Sequence, residues 1–227
     1  KEARYDGVEI MGSEGYLLSQ FLAPRTNHRT DLYGGVPLEN RARIVLDIIR
    51  QTRQATGDDF IIMFRLSLLD LVEQGLTFQE SHDLAVWCQE AGCNILNTGI
   101  GWHEARIPTI ATSVPRGAFG FCTQKLKQSP DIHIPLVATN RINHPQLANQ
   151  LLQDSVCDLI SMARPLLADA ELVKKSYELN EDEINTCIGC NQACLDHVFA
   201  NKLTSCLFNC LKHKQRYLKR IISKNNT

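Results

Sequence analysis

Apolar residues fall along this chain in two patterns: short unbroken runs, and longer stretches in which they recur every three or four positions. The runs are "DGVEIMG", "FIIMFRLS", "NILNTGI", "PLVATNR" and "DLISMARP". Each has strand length and is apolar nearly throughout, which predicts parallel strands buried on both faces. The stretches "LENRARIVLDIIRQTRQAT", "TFQESHDLAVWCQEAG" and "HPQLANQLLQDS" between them carry the helical period. Thr77 followed by Glu80 makes a capping box, and Gly57 and Gly92 stand where two helices should stop. The alternation of strand and helix predicts an α/β class with a parallel sheet.

Chemistry gathers where these strands end. Tyr16 lies beyond the first, Arg65 at the second, His103 beyond the third, Arg141 at the fourth and Arg164 at the fifth. Reactive groups at the C-terminal ends of successive parallel strands are expected of a (β/α)₈ barrel. An open doubly wound sheet also binds ligands at its strand ends, but no G-x-G-x-x-G turn follows a strand here. The expected fold is therefore an incomplete TIM barrel, about the last five βα units, with the missing strands ahead of residue 1. The absence of a starting Met in "KEARYDGVEI" fits that expectation. The first and last strands should then each present a long apolar edge.

Composition narrows the class. At 44% hydrophobic and 22% charged residues the chain has globular composition. A net charge of −1 argues against a nucleic-acid binder or a protein built for an acidic membrane. No apolar run reaches the roughly 18–20 residues of a membrane span, and no secretory signal is visible. Nine cysteines are too many to ignore. Cys88, Cys93, Cys122 and Cys157 are scattered among helix and strand patterns and read as structural, whereas the rest crowd into the last quarter. That distribution fits a reducing cytoplasm with one cysteine-rich site.

The site is in "CIGCNQACLDHVFANKLTSC", where Cys187, Cys190, Cys194 and Cys206 have the spacing Cys-x₂-Cys-x₃-Cys-x₁₁-Cys. Three close thiols and one distant one suit a cubane iron–sulfur cluster better than the paired knuckles of a zinc ribbon. Zinc and free thiols are the alternatives. The chain thus divides into a partial barrel over residues 1–180, an iron–sulfur segment over 181–210 and a basic tail over 211–227.

The stretches "YDGVEIMGSEGYLLSQFL", "RTNHRTDLYGG", "NTGIGWHEARIPT", "VATNRIN", "SMARPLLAD" and "INTCIGCNQACLD" resemble bacterial NADPH-dependent 2,4-dienoyl-CoA reductases, within the Old Yellow Enzyme group of flavin barrels. The resemblance implies FMN on the C-terminal face, a [4Fe–4S] cluster on the four cysteines, and a separate FAD/NADPH domain that this chain lacks. It implies Tyr16 as proton donor, since a phenol is ordinarily protonated at neutral pH, and His103 as the group that polarises the thioester carbonyl. Arg141 and Arg164, with backbone near Ala163, are implied to hold the FMN phosphate, and Arg65 to stand at the flavin's pyrimidine edge. Thr26, Asn27, His28 and Arg29, with His103, Glu104, Ala105 and Arg106, are implied to contact an acyl-CoA thioester. Glu104 and Arg106 could equally pair only with each other.

The chain also departs from that group. Where ordinary ene reductases carry a His-x-x-His or His-x-x-Asn pair before the Tyr, it has Met11 and Glu14, which moves carbonyl recognition towards His103. Its basic end "LKHKQRYLKRIISKNNT" resembles nothing in the family. No NADPH-dependent turnover is expected of the chain alone. The alternatives to a working reductase are a non-catalytic degenerate fragment and an iron–sulfur binding or interaction module.

Overall fold

The computed structural model describes residues 2–209. Five strands, β1 (Gly7–Gly12), β2 (Ile61–Leu69), β3 (Ile95–Ile100), β4 (Leu136–Ala138) and β5 (Leu159–Ile160), form one sheet, each pairing in parallel with the next in sequence. An order that runs without reversal removes the doubly wound alternative, whose strand order turns back at its centre. With right-handed crossovers, it also puts the connecting helices on one face of the sheet. They are α1 (Leu17–Leu22), α2 (Leu38–Thr56), α3 (Phe78–Glu90), α4 (Gly120–Lys127) and α5 (Pro145–Gln153), followed by the shorter α6 (Arg164–Ala168), α7 (Leu172–Tyr177) and α8 (Leu195–Phe199). The basic end at 211–227 lies outside the described residues. No helix among the described residues is long and apolar enough to cross a membrane.

Two faces of the sheet differ in a way that the apolar runs did not reveal. On β2, Ile62, Phe64, Leu66 and Leu68 are fully or almost fully buried, and they pack with Val45 and Ile49 of α2 and Leu84 and Ala85 of α3 in the main core. The alternate residues Met63 and Arg65 face the other way and are only half-buried. Arg65 stands in register with Met11 on one side and Asn97 on the other. On that second face Asn97 donates to Glu9 at 2.5 Å. The expectation of strands buried on both faces holds for β3 and β4, which are buried nearly throughout, and is corrected for β1 and β2, whose second face is only half-buried. The edges differ from expectation as well. β5 has two residues only, and β1 carries the exposed Glu9, so neither is a long apolar edge.

The helix boundaries follow from local chemistry. α3 opens on the full capping box: the Thr77 side chain accepts the Glu80 N–H, and the Glu80 carboxylate accepts the Thr77 N–H at 2.9 Å. The same carboxylate pairs with Arg41 of α2, which is 2% exposed and also donates to the Leu22 carbonyl at the end of α1. One carboxylate therefore caps α3 and neutralises a guanidinium that ties three helices together. At the opposite end of the sheet, Arg53 donates to the carbonyls of Gly57 and Phe60 at 2.7 Å, to Gly92 at 2.8 Å and to Asn94 Oδ1 at 2.5 Å. It closes the turns that enter β2 and β3. Gly57 and Gly92 stop α2 and α3 with φ of 76° and 106°, where a side chain would be strained.

Cys88, Cys93, Cys122 and Cys157 are buried. Burial pushes the Cys93 and Cys122 thiols up to about 11, so they pack as small apolar groups rather than react.

Thr77→Ala, which removes one half of the box, is expected to lower unfolding stability by about 1 kcal/mol. Glu80→Ala removes both the box and the partner of buried Arg41, and should lower it by about 3 kcal/mol or more. Urea denaturation of the two variants side by side checks the ranking, and equal losses would show that Arg41 needs no counter-ion.

Candidate active site

Parallel pairing brings the C-terminal ends of all five strands to one side, and a cavity of about 550 Å³ opens there. Its walls are the loops that leave each strand: Glu14 after β1, Arg65 on β2, Trp102, His103, Ala105 and Ile107 to Ala111 after β3, Thr139 to Asn143 after β4, and Ser161 to Pro165 after β5. A cavity of this size suits a drug-sized or cofactor-sized ligand.

The loop after β1 takes a left-handed turn at Glu14 (φ 63°) and Gly15 (φ 85°). Gly15 packs on the Trp102 indole, where a methyl group would meet the ring at 3.0 Å. The turn has two consequences. It sends the Glu14 carboxylate onto Arg65, with Nη2 and Nε donating to Oε1 at 2.6 and 3.0 Å. It also sets Tyr16 at the start of α1 beside His103, the ring centroids 5.1 Å apart and the planes at 79°. The His103 N–H donates to the Glu14 carbonyl at 3.3 Å. Tyr16 is half exposed, so its hydroxyl is open to an incoming molecule. Two residues 87 positions apart in sequence meet as a pair, of which His103 lines the cavity and Tyr16 does not.

Arg141 and Arg164 both line the cavity, as does Ala163 at the start of α6. Arg141 is 8% exposed and donates through Nε to the Val114 carbonyl at 2.9 Å. Burial, and then the neighbouring Arg164 charge, lowers its affinity for a proton. Two close cations with no carboxylate on either among the described residues make a demand for an anion, and a phosphate meets it. Arg141 is delivered by a loop in which both Asn140 and Arg141 have positive φ, 67° and 58°, a strained arrangement for non-glycine residues that is typical of functional turns, and Arg164 by the start of α6.

The residues expected to touch substrate divide. His103 and Ala105 line the cavity, whereas Thr26, Asn27, His28, Arg29, Glu104 and Arg106 do not. Asn27 is buried, its amide donating to the carbonyls of Phe21 and Tyr33 at 2.6 and 2.7 Å, so it holds its own loop together. Thr26 donates to the Gln20 carbonyl at 2.7 Å, and Arg29 pairs with Asp31. Glu104 pairs with Arg25 at 2.7 Å rather than with Arg106, because the loop after β3 leans onto the segment after α1.

Cys187, Cys190, Cys194 and Cys206 surround a second, small cavity of about 20 Å³, together with Arg164, Leu167, Ile188 and Phe208. The four are free thiols. Among the described residues no three His, Cys, Asp or Glu side chains converge closely enough to hold a metal ion. The thiols are gathered but not drawn onto a point, so the fit to a cluster lies in the donor set: four sulfurs, apolar walls and one arginine. Burial raises the Cys194 thiol, and Cys187 and Cys190 add to that, while Arg164 opposes it.

Sequence reasoning missed what holds this segment in place. Its entry is anchored by Asp169, whose carboxylate accepts the Asn185 N–H at 2.9 Å, the Lys175 ammonium at 2.7 Å and the Glu171 N–H at 3.0 Å. Its exit is anchored by Asn209, which donates to the Ala168 carbonyl at 2.6 Å. Both ends thus return to α6. The Asp in "SMARPLLAD", at the close of a helix that "ARP" begins, was the available signal.

A parallel sheet in unreversed order, with an anion-seeking pair of arginines and a tyrosine–histidine pair on its C-terminal side, defines the class of flavin oxidoreductases. Comparison with known proteins agrees: residues 1–183 match the model of the NADH:flavin oxidoreductase / NADH oxidase family, and the chain belongs to it. It is 44% identical over 209 residues to a metal reductase of Desulforamulus reducens, covering 92% of this chain and 31% of that protein. It is 31% identical to a cinnamate reductase of Clostridium sporogenes over 97% of this chain and 35% of the other. Among solved structures, a 2-naphthoyl-CoA reductase in complex with 2-naphthoyl-CoA superposes with a TM-score of 0.88 at 34% identity, over 92% of this chain and 31% of that one. The chain therefore spans about a third of the length of these relatives.

Burial alone would raise the Asp169 carboxyl, but Lys175 and the N–H groups of Asn185 and Glu171 outweigh it and hold it below the usual carboxylate range. A depressed pKa in the folded state stabilises the fold above the unfolded value, and that stability is lost as pH falls through the folded one. Asp169→Asn should accordingly lower stability at pH 7 and flatten its loss in acid. Thermal melts of both proteins between pH 7 and pH 3 read the difference, and parallel profiles would remove Asp169 as the anchor.

Proposed function

We propose that the chain is the flavin- and cluster-carrying part of a reductase of carbon–carbon double bonds conjugated to an acyl-CoA thioester, with 2,4-dienoyl-CoA thioesters as the substrate class. The observation that carries this reading is the Tyr16–His103 pair, 5.1 Å between ring centroids, with His103 on the wall of the large cavity. Reduction of a conjugated thioester needs a proton donor beside a group that holds the carbonyl, and this pair supplies both. The names of two relatives point the same way, one a cinnamate reductase and the other a 2-naphthoyl-CoA reductase whose ligand is a CoA thioester.

FMN, when bound, supplies the hydride from N5. The residues of this chain do the rest. Arg141 and Arg164 would hold the phosphate, with backbone at Ala163, and Arg65, steadied by Glu14, would stand at the pyrimidine edge. His103 takes the thioester carbonyl, orienting the chain of the substrate and drawing charge onto the oxygen. Tyr16 gives up its phenolic proton to the substrate carbon as the anion collapses. Cys187, Cys190, Cys194 and Cys206 would hold a [4Fe–4S] cluster, which would supply single-electron transfer to the flavin. Arg164, Cys187 and Asn191 line both the large cavity and the thiol cavity, so the two cofactors would be neighbours. The five strands are read as the later part of a (β/α)₈ barrel, closed by three further strands between the free edges of β1 and β5.

The test is a single turnover. The chain is loaded with FMN under anaerobic conditions, photoreduced, and mixed with a 2,4-dienoyl-CoA while flavin reoxidation is followed by absorbance. Tyr16→Phe should slow reoxidation about 100-fold or more, the usual contribution of a general acid, and leave FMN affinity unchanged. The same rate in both proteins, or no faster rate than free reduced FMN gives, would defeat the proposal.

A further inference from the structure

The thiol segment is bound to the flavin side of the molecule along five consecutive residues. The Cys187 carbonyl accepts from Asn143 Nδ2 at 2.7 Å, and the Ile188 carbonyl accepts from Thr112 Oγ1 at 2.8 Å. Gly189 is buried with φ of 71° and lies so near Arg141 that a methyl group there would come within 2.6 Å of Nη1. Asn191 Oδ1 accepts from Arg164 Nη1. The partners come from three separate loops, after β3, β4 and β5, and five of these residues, Arg141, Asn143, Arg164, Cys187 and Asn191, also line the large cavity.

Asn143 is the centre of this arrangement. It is 2% exposed and sits two residues after Arg141 in the strained loop. Its donor is spent on Cys187, while its Oδ1 is buried without a hydrogen-bond partner. An orphaned buried acceptor is unfavourable by about 1–3 kcal/mol, so its retention calls for a reason beyond folding.

We propose that Asn143 couples the two cofactor sites, so that filling the thiol cavity tightens FMN binding and FMN in turn favours filling of the thiol cavity. The inference rests on the reading of the two cavities given above. Its physical basis is ordering. Arg164, Cys187 and Asn191 form a wall shared by both cavities, so a ligand in either one fixes groups that the second ligand then meets already fixed. Linkage makes the effect reciprocal, and couplings of this kind amount to about 5–150-fold in affinity. Asn143 acts here as a positioning residue; Thr112 supports the same tie from the next loop.

The experiment is an anaerobic FMN titration by flavin fluorescence, on the full chain before and after reconstitution with ferrous iron and sulfide, with iron counted per chain. In the unaltered protein the reconstituted form should bind FMN at least fivefold more tightly. In Asn143→Ala the two forms should bind alike, with iron uptake retained. Thr112→Val, an exposed and nearly isosteric change, should reduce the ratio by part of that factor and guards against an Asn143 variant that fails to fold. Equal FMN affinities in the unaltered protein, or a ratio that survives Asn143→Ala, overturns the coupling while leaving the functional reading intact. A chain that binds neither FMN nor iron overturns both.

Discussion

Parallel pairing is the constraint from which the rest follows. Because β1 to β5 all run the same way and pair in sequence order, every loop that leaves a strand must emerge on one side, and every helix must return the chain on the other face. Five segments far apart in sequence then face a common space without any of them having to reach. The strand ends need only be short: β4 has three residues and β5 two. They end early because the chain is needed there as irregular loop, to present Arg141 and Arg164.

Polar groups at this face are spent with little redundancy. Glu14 leaves the strand by a left-handed turn and neutralises Arg65, and its carbonyl steadies His103. A single turn thus sets a charge, a ring and, two residues on, the phenol of Tyr16. Among the described residues Arg141 and Arg164 have no carboxylate partner, and the excess of positive charge falls on the wall of the cavity. Asp169 does for the thiol segment what Glu14 does for the cavity, gathering a lysine and two backbone N–H groups onto one carboxylate.

How much of this could be read beforehand depends on the range of the interaction. The span of α2 was read to the residue because Leu38, Ala42, Val45, Leu46 and Ile49 follow the helical period and Gly57 stops it. The Thr77–Glu80 box is local and was equally plain. The order of strands came from counting runs. Lost from view was everything that joins one loop to another. "PLVATNR" reads as strand to its end, yet the left-handed Asn140 and Arg141 turn it out of the sheet. Asn27 looks like a solvated loop residue until two carbonyls six residues to either side are seen to claim its amide. Glu104 has Arg106 beside it but pairs with Arg25, 79 residues away, and the Asn143–Cys187 bond spans 44. Such pairings have no period or spacing. What could be seen was the residue types the chemistry would need, at strand ends, and the family pattern of the cysteines.

The staple at Arg53 has a further consequence. Its guanidinium closes the turns at the end of the sheet opposite the cavity, so the framework is locked from below by groups that do not line the cavity. The upper loops can then be rewritten while the framework keeps its shape. For anyone wishing to retarget this scaffold, the molecule has a natural division of labour: a chassis to be left untouched below the strands, and an editable deck above them.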